Sequence, residues 1–135
     1  MEDHKDILDY TIPQLLRWRV QHSSDKVALR EKDFGRWISY TWKEYYEYVR
    51  KTAVGLEKIG LKKDAKLAII SDNIPEVLVV AIAAQAVGGI SAGIYQSSLP
   101  DEIADILNYM DVSMVFCGDQ EQVDKLVEVR ERIPK

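Results

Sequence analysis

The sequence predicts an α/β fold: βαβ units with a short parallel sheet flanked by helices, preceded by a helix and a β-hairpin. Three observations carry this expectation. Three short apolar runs, at 67–70 (LAII), 90–95 (ISAGIY) and 113–117 (SMVFC), lack polar–apolar alternation. Strands buried on both faces of a parallel sheet read this way. Their starts lie about 23 residues apart, with one helical pattern in each gap, so right-handed crossovers follow. Helix starts are also marked repeatedly, by "TIPQ" at Thr11, "NIPE" at Asn73 and "SLPD" at Ser98. Each string offers a side-chain oxygen to free N–H groups, then a first-turn proline, then an acid or amide.

Taken in order, Thr11 opens the first helix. The segment 27–42 (VALREKDFGRWISYTW) reads as a hairpin turning at 33–36. Trp37 and Tyr40 are expected to pack on a neighbour rather than stack on a base. "TWKE" at Thr41 is a capping box without the proline. The helix after it places Trp42, Tyr45, Tyr46, Val49, Ala53 and Leu56 on one face, with Lys43, Glu44, Glu47, Arg50 and Lys51 opposite. Gly60 ends it. The helix after Asn73 has no polar face, so it needs cover on nearly every side. After Ser98 the apolar positions are Ile103, Ile106, Leu107 and Met110. After Asp119, in "DQEQ", they are Val123, Leu126 and Val127, ahead of Pro134. The capping strings share chemistry only; the segments behind them differ, so they are not an internal repeat.

The most hydrophobic stretch, 77–95 (VLVVAIAAQAVGGISAGIY), raises the question of a membrane span. A span needs about 20 apolar residues. This stretch barely reaches that length, is rich in Ala and Gly, and has no flanking Lys or Arg cluster. Gly88 and Gly89 sit where a helix ends, and strand formers follow. It reads as a buried helix and then a buried strand, with Gly89 allowing a close backbone approach. The acidic start "MEDHKDILDY" lacks the features of a signal or transit peptide, so a cytoplasmic location is expected. The net charge of −4, with positives interleaved among acids, argues against a nucleic-acid surface. The single cysteine, Cys117, excludes an internal disulfide framework and a multi-cysteine zinc site; it is expected to be a buried structural thiol.

Open α/β sheets take ligands at the carboxyl ends of their strands. Those ends are Ser71–Asp72–Asn73, Tyr95–Gln96–Ser97–Ser98 and Cys117–Gly118–Asp119. All are small or polar, and each residue also serves as an ordinary turn or cap. "GGISAG" leads into a strand, the wrong place for a phosphate-binding turn, and neither glycine-rich nucleotide motif occurs. His4 and His22 have no partners at metal-ligand spacing, and no serine sits in a nucleophile elbow. By itself the chain carries no catalytic constellation and no metal site.

The order of elements, however, resembles the N-terminal part of AMP-forming acyl-CoA synthetases, the adenylate-forming superfamily. The matching strings run from "TIPQLLRWRVQHSSDKVAL" through "ISYTWKEYYEYVRKTAVGLEKIGLKKDAKLAIISDNIPEVLVVAIAAQAVGGISAGIY" to "SSLPDEIADILNYMDVSMVF". They cover about 120 residues. "GIYQSSLPDEI" looks most like the long-chain fatty acid branch. Two positions depart from many relatives: Gly93 stands where proline is common, and Val77 where an aromatic follows the Pro-Glu pair. The resemblance implies a ligase using ATP, CoA and Mg²⁺ to activate a fatty acid. It also implies that the phosphate loop, the Tyr-Gly-x-Thr-Glu motif, the ribose-binding Asp and the catalytic Lys lie beyond residue 135. Residues 1–135 are then a partial N-terminal domain, its first subdomain, inactive alone and either cut out or naturally truncated. No catalytic residue is assigned within it. The turn Tyr95, Gln96, Ser97 and Ser98 corresponds to one that faces the CoA nucleotide in some relatives. The plain alternative is that Tyr95 only packs and Ser98 only caps a helix.

Two other readings stay open. One is a stand-alone flavodoxin-like binding or assembly module. The other is a fragment of a different adenylating enzyme, of the aryl-acid or luciferase-like kind. Self-association into a dimer is expected of the isolated chain, because a border strand and an all-apolar helix both need cover.

Overall fold

The computed structural model describes residues 7–133; the acidic start with His4, and Pro134, lie outside them. Helix α1 (Ile12–Ser23) leads into strands β1 (Val27–Asp33) and β2 (Arg36–Thr41). Then come α2 (Trp42–Lys58), β3 (Lys66–Ile70), α3 (Pro75–Ala86), β4 (Ile90–Ile94), α4 (Pro100–Met110), β5 (Met114–Cys117) and α5 (Gln120–Glu128). Strands β1 and β2 form an antiparallel pair. The other three form a parallel sheet in the order β4-β3-β5.

The order puts β3 in the centre, and its pleat sends alternate side chains into two cores. Leu67 and Ile69 meet Tyr45, Val49 and Leu56 of α2 and Val79, Val80 and Ala83 of α3. Ala68 and Ile70 meet Ile94, together with Ile103 and Leu107 of α4. Leu67, Ala68 and Ile70 are fully buried. A strand with helices on both faces has no wet side, which explains the unbroken apolar run. At roughly 25 cal/mol per Å², each large side chain buried in this way contributes about 1.5–3 kcal/mol. Residues 77–95 are two elements, α3 and β4, not one helix. Among the described residues no helix is long and apolar enough to cross a membrane.

The glycines that end α2 and α3 use the same geometry. Gly60 and Gly88 adopt φ of +104° and +83°. After α2, the Leu61 N–H donates to Leu56 O at 2.9 Å and the Gly60 N–H to Glu57 O at 3.1 Å. After α3, the Gly89 N–H donates to Ala84 O at 2.9 Å and the Gly88 N–H to Gln85 O at 3.0 Å. Both are Schellman endings, in which orphan carbonyls find donors. A Cβ on Gly89 would stand 3.1 Å from two backbone oxygens, those of Ala65 and Ala84, so the close approach is real.

Beyond β4, an edge strand in which only Ile94 is buried rather than the buried strand expected, four expectations need correction. Asn73 and Ser98 are not the caps: Ile74 and Leu99 are, each directly before a helix-opening proline. Proline drives the residue before it out of the helical region, which places the boundary there. The cap of α4 is instead completed by the Glu102 carboxylate, which accepts the Leu99 N–H at 2.9 Å. Thr41 caps as expected, its hydroxyl accepting the Glu44 N–H at 3.2 Å; at Thr11 only the reverse bond forms, with Gln14 accepting the Thr11 N–H at 2.8 Å. Second, α3 is not covered all round, because Leu78 is 45% exposed. Third, the inward face of α5 carries Gln122 and Leu126, while Val123 and Val127 face outward. Gln122 replaces the expected valines because its amide is occupied at the sheet end, as shown below. Fourth, Trp37 is 67% exposed. The hairpin turns at Phe34 and Gly35, both with positive φ, and Trp37 stands at the rim of an open cavity beside Ile74, Pro75 and Leu78. Tyr40 does pack, edge-on against Tyr48.

Candidate functional site

The carboxyl ends of β3, β4 and β5 are brought level by their register, with Ile70 opposite both Ile94 and Cys117. The helices then leave in different directions. The chain after β3 goes to the α2 side of the sheet, while α4 and α5 pack on the other face. Divergence of this kind opens a crevice between neighbouring strand ends. Here side chains span both crevices.

Between β3 and β4, the Gln96 amide donates to the Asp72 carboxylate. Between β3 and β5, the Gly118 N–H donates to Ile70 O at 2.9 Å. Gly118 also lies so close to Ser71 that an added Cβ would be 2.0 Å from its hydroxyl oxygen. That contact explains why the Ser71 hydroxyl is buried without a hydrogen-bond partner among the described residues. Cys117 ends β5 half-buried, and burial, then the nearby Asp119 charge, pushes its thiol pKa up. A thiol held protonated is a poor nucleophile.

The turn Tyr95–Ser98 closes with the Ser98 N–H donating to Tyr95 O at 3.0 Å. Its backbone is held from the far side by Lys125 of α5, whose ammonium donates to Gln96 O at 2.6 Å. The same ammonium reaches Gln122 Oε1 at 3.3 Å and Glu121 Oε1 at 3.2 Å. Gln122 is buried, and its N–H is capped by Asp119 at 3.1 Å. One side chain from α5 and one from the β3–α3 loop therefore fix the turn. Tyr95 stands 85% exposed, and Ser98 is not a helix cap.

Of the four turn residues singled out from the sequence, Gln96 is tied into the strand ends. Tyr95 and Ser97 are left free at the surface. Asp72, from another strand end, joins them. Lys125 was missed; a lysine in an amphipathic helix reads as solvated surface, and only the crossing of α5 past the β4 end gives it a role. His22 stacks on Trp18 and bonds to its carbonyl, an arrangement internal to α1. Among the described residues no group of three or more His, Cys, Asp or Glu is placed to hold a metal ion.

The larger apolar cavities lie elsewhere. One of about 450 Å³ runs between α1, β1, α2 and α3, walled by Leu15, Trp18, Leu29, Trp42 and Ile82. Its lining is mostly apolar, with Arg19 and Tyr45 the exceptions, so size alone does not make it the site. The strand ends hold the convergent polar groups.

The fold thus defines a doubly covered parallel α/β unit, the class that presents ligands with polar turns at its strand ends. The chain belongs to the AMP-binding enzyme family, whose pattern matches residues 16–135. It is 28% identical over 124 residues to the long-chain-fatty-acid–CoA ligase ACSBG2 of Xenopus laevis, and 28% over 127 residues to human ACSBG1. These alignments take in 92% and 94% of the chain but only 17% and 18% of the relatives. Among solved structures, the N-terminal domain of FACL13 from Mycobacterium tuberculosis superimposes with a TM-score of 0.82. Its identity is 20%, over 88% of this chain and 29% of that one. The anthranilate CoA ligase AuaEII superimposes with a TM-score of 0.80 at 17% identity, over 93% and 23%. The chain therefore spans less than a fifth of the length of these curated relatives.

Proposed function

We propose that residues 1–135 are the first subdomain of an AMP-forming long-chain fatty acid–CoA ligase, and that the turn Tyr95–Ser98 faces the nucleotide of CoA. The observation that carries the first part is the set of relatives: those aligned over nine-tenths of the chain are named long-chain-fatty-acid–CoA ligases. In the family reaction a carboxylate attacks the α-phosphorus of ATP and releases pyrophosphate. The CoA thiol then takes the acyl group and AMP leaves.

The turn suits an adenine nucleotide. The exposed Tyr95 ring offers a stacking face. The Ser97 hydroxyl is unengaged among the described residues, and Lys125 supplies a positive charge beside the Gln96 carbonyl. When bound, CoA contributes the thiol; this chain's residues only hold and orient its nucleotide. Among the described residues no acid cluster is placed to hold a Mg²⁺ ion.

Two measurements on the isolated chain test this. ATP–pyrophosphate exchange with a fatty acid should stay at the blank, because the phosphate loop of the family is not in this sequence. Exchange above the blank would overturn the subdomain reading. Titration with CoA at millimolar concentration should shift the amide resonances of Tyr95–Ser98. Tyr95→Ala should abolish that response; shifts that survive it, or fall elsewhere, would remove the turn from the site. The module reading is favoured by one observation: both faces of the sheet are already covered within this chain. Light scattering separates the two, since an incomplete sheet is expected to self-associate and a closed module to run as a 15.5 kDa monomer.

A further inference from the structure

A second cavity, of about 240 Å³, lies where the hairpin meets α2 and the first turn of α3. Three tyrosines line it: Tyr40 of β2, with Tyr45 and Tyr48 of α2. The Tyr40 and Tyr48 rings stand at 77° with centroids 6.1 Å apart, which makes an aromatic corner. Pro75 and Glu76 close it from α3. The Glu76 carboxylate has no hydrogen bond or ion pair to any described residue, and no Lys or Arg lines the cavity. Glu31 adds a second negative charge beside it, accepting the Tyr40 hydroxyl. Tyr45 is only 5% exposed, yet its hydroxyl has no partner among the described residues. That hydroxyl is open to the cavity, where water or a ligand can meet it.

These features select a ligand by chemistry. An anion is repelled by Glu76 and Glu31. A neutral apolar group would gain nothing from either carboxylate. A hydrated metal ion would need more oxygen ligands than one free carboxylate supplies. An alkylated ammonium group gains from ring faces and from the carboxylate together, and a hydroxyl on the same molecule would accept from Tyr45. A dry cavity of roughly 150 Å³ holds a benzene ring, so a trimethylammonium group fits here. We propose that this corner binds a small amino alcohol of the choline class. A phosphorylated headgroup is disfavoured, because its phosphate would sit against the two carboxylates. The site shares no residue with the strand-end turn, so either reading can fail alone.

Choline chloride titrated into the 135-residue chain tests it by heteronuclear NMR. Saturable shifts are expected at the amides of Tyr48, Thr52 and Glu76. The neutral carbon isostere, 3,3-dimethylbutan-1-ol, should bind about tenfold more weakly, and Glu76→Gln should weaken choline by a similar factor. Phosphocholine should also bind more weakly than choline. Tyr48→Ala, at a side chain already half-exposed, gives a second variant if Glu76→Gln perturbs the fold, and should remove the shifts. The proposal is overturned if the isostere binds as well as choline, if phosphocholine binds better, if both variants leave binding unchanged, or if no saturable shift appears.

Discussion

The two sheets of this molecule are built from similar residues and end in opposite circumstances. β3 reads KLAII, and four of its five residues are buried. β2 reads RWISYT, no poorer in strand formers, and none of its residues is buried. The difference lies in what covers them. β3 has a strand on each edge and helices on each face, so its alternation is erased. The hairpin is an isolated two-stranded pair that lays Ala28, Leu29 and the Tyr40 side against the body. Its turn also holds Phe34 in a left-handed conformation, 98% exposed, at a cost of about 1–2 kcal/mol. Apolar residues in a strand therefore report that a strand forms, and only its neighbours decide whether they are buried.

The sharpest way to break this comparison is to cut into β3. Ile70→Ala removes a side chain with 0% exposure that packs on α4. It should destabilise the chain by about 2–5 kcal/mol in a urea titration, the range for emptying a core site. A loss under about 1 kcal/mol would mean that the sheet is not the structural centre.

An alkaline titration compares the two regions within one experiment. The Tyr40 hydroxyl is pushed up to about 12 mainly by its bond to Glu31, and the Tyr45 hydroxyl to about 12 by burial. Both folded-state values lie above the ordinary tyrosine range near 10. The unfolded chain then releases these protons first, so stability is fully present below pH 10 and falls as pH rises towards 12. Denaturant midpoints measured across that window should drop. Tyr45→Phe should remove the core's share and Tyr40→Phe the hairpin's; a midpoint that stays level between pH 10 and 12 would contradict both assignments.

The smallest effect belongs to the hairpin's outer face. Trp37→Ala, at a ring 67% exposed, should change stability by no more than about 0.5 kcal/mol. A loss near that of Ile70→Ala would show that another element covers this face in solution.

Much of the fold was legible because local chemistry wrote it. Gly60 and Gly88 announce helix ends that few other residues can adopt, and Thr11 and Thr41 announce helix starts that one side chain can cap. Two of the three proline-led starts misled by one residue, since there the constraint on the position before proline outweighs a nearby Asn or Ser. The candidate site was half legible. Its loops are strand ends, and strand ends follow from the runs 67–70, 90–95 and 113–117. That Gln96 reaches Asp72, and that Lys125 reaches the Gln96 carbonyl, spans sequence separations of 24 and 29. No periodicity carries such information.

The sequence by itself determined the kind and order of the elements and the membership of the AMP-binding enzyme family. All of these rest on short-range steric and capping preferences, or on the residue pattern that burial requires. Only the tertiary structure decided that β5 lies beside β3 rather than beyond β4, that α3 leaves Leu78 uncovered, and that α5 turns Gln122 rather than Val123 inward. The physical reason is the same in each case. Backbone preference acts over a few residues, whereas the partner a face meets is chosen by packing elements distant in sequence, whose closure entropy only the assembled core repays.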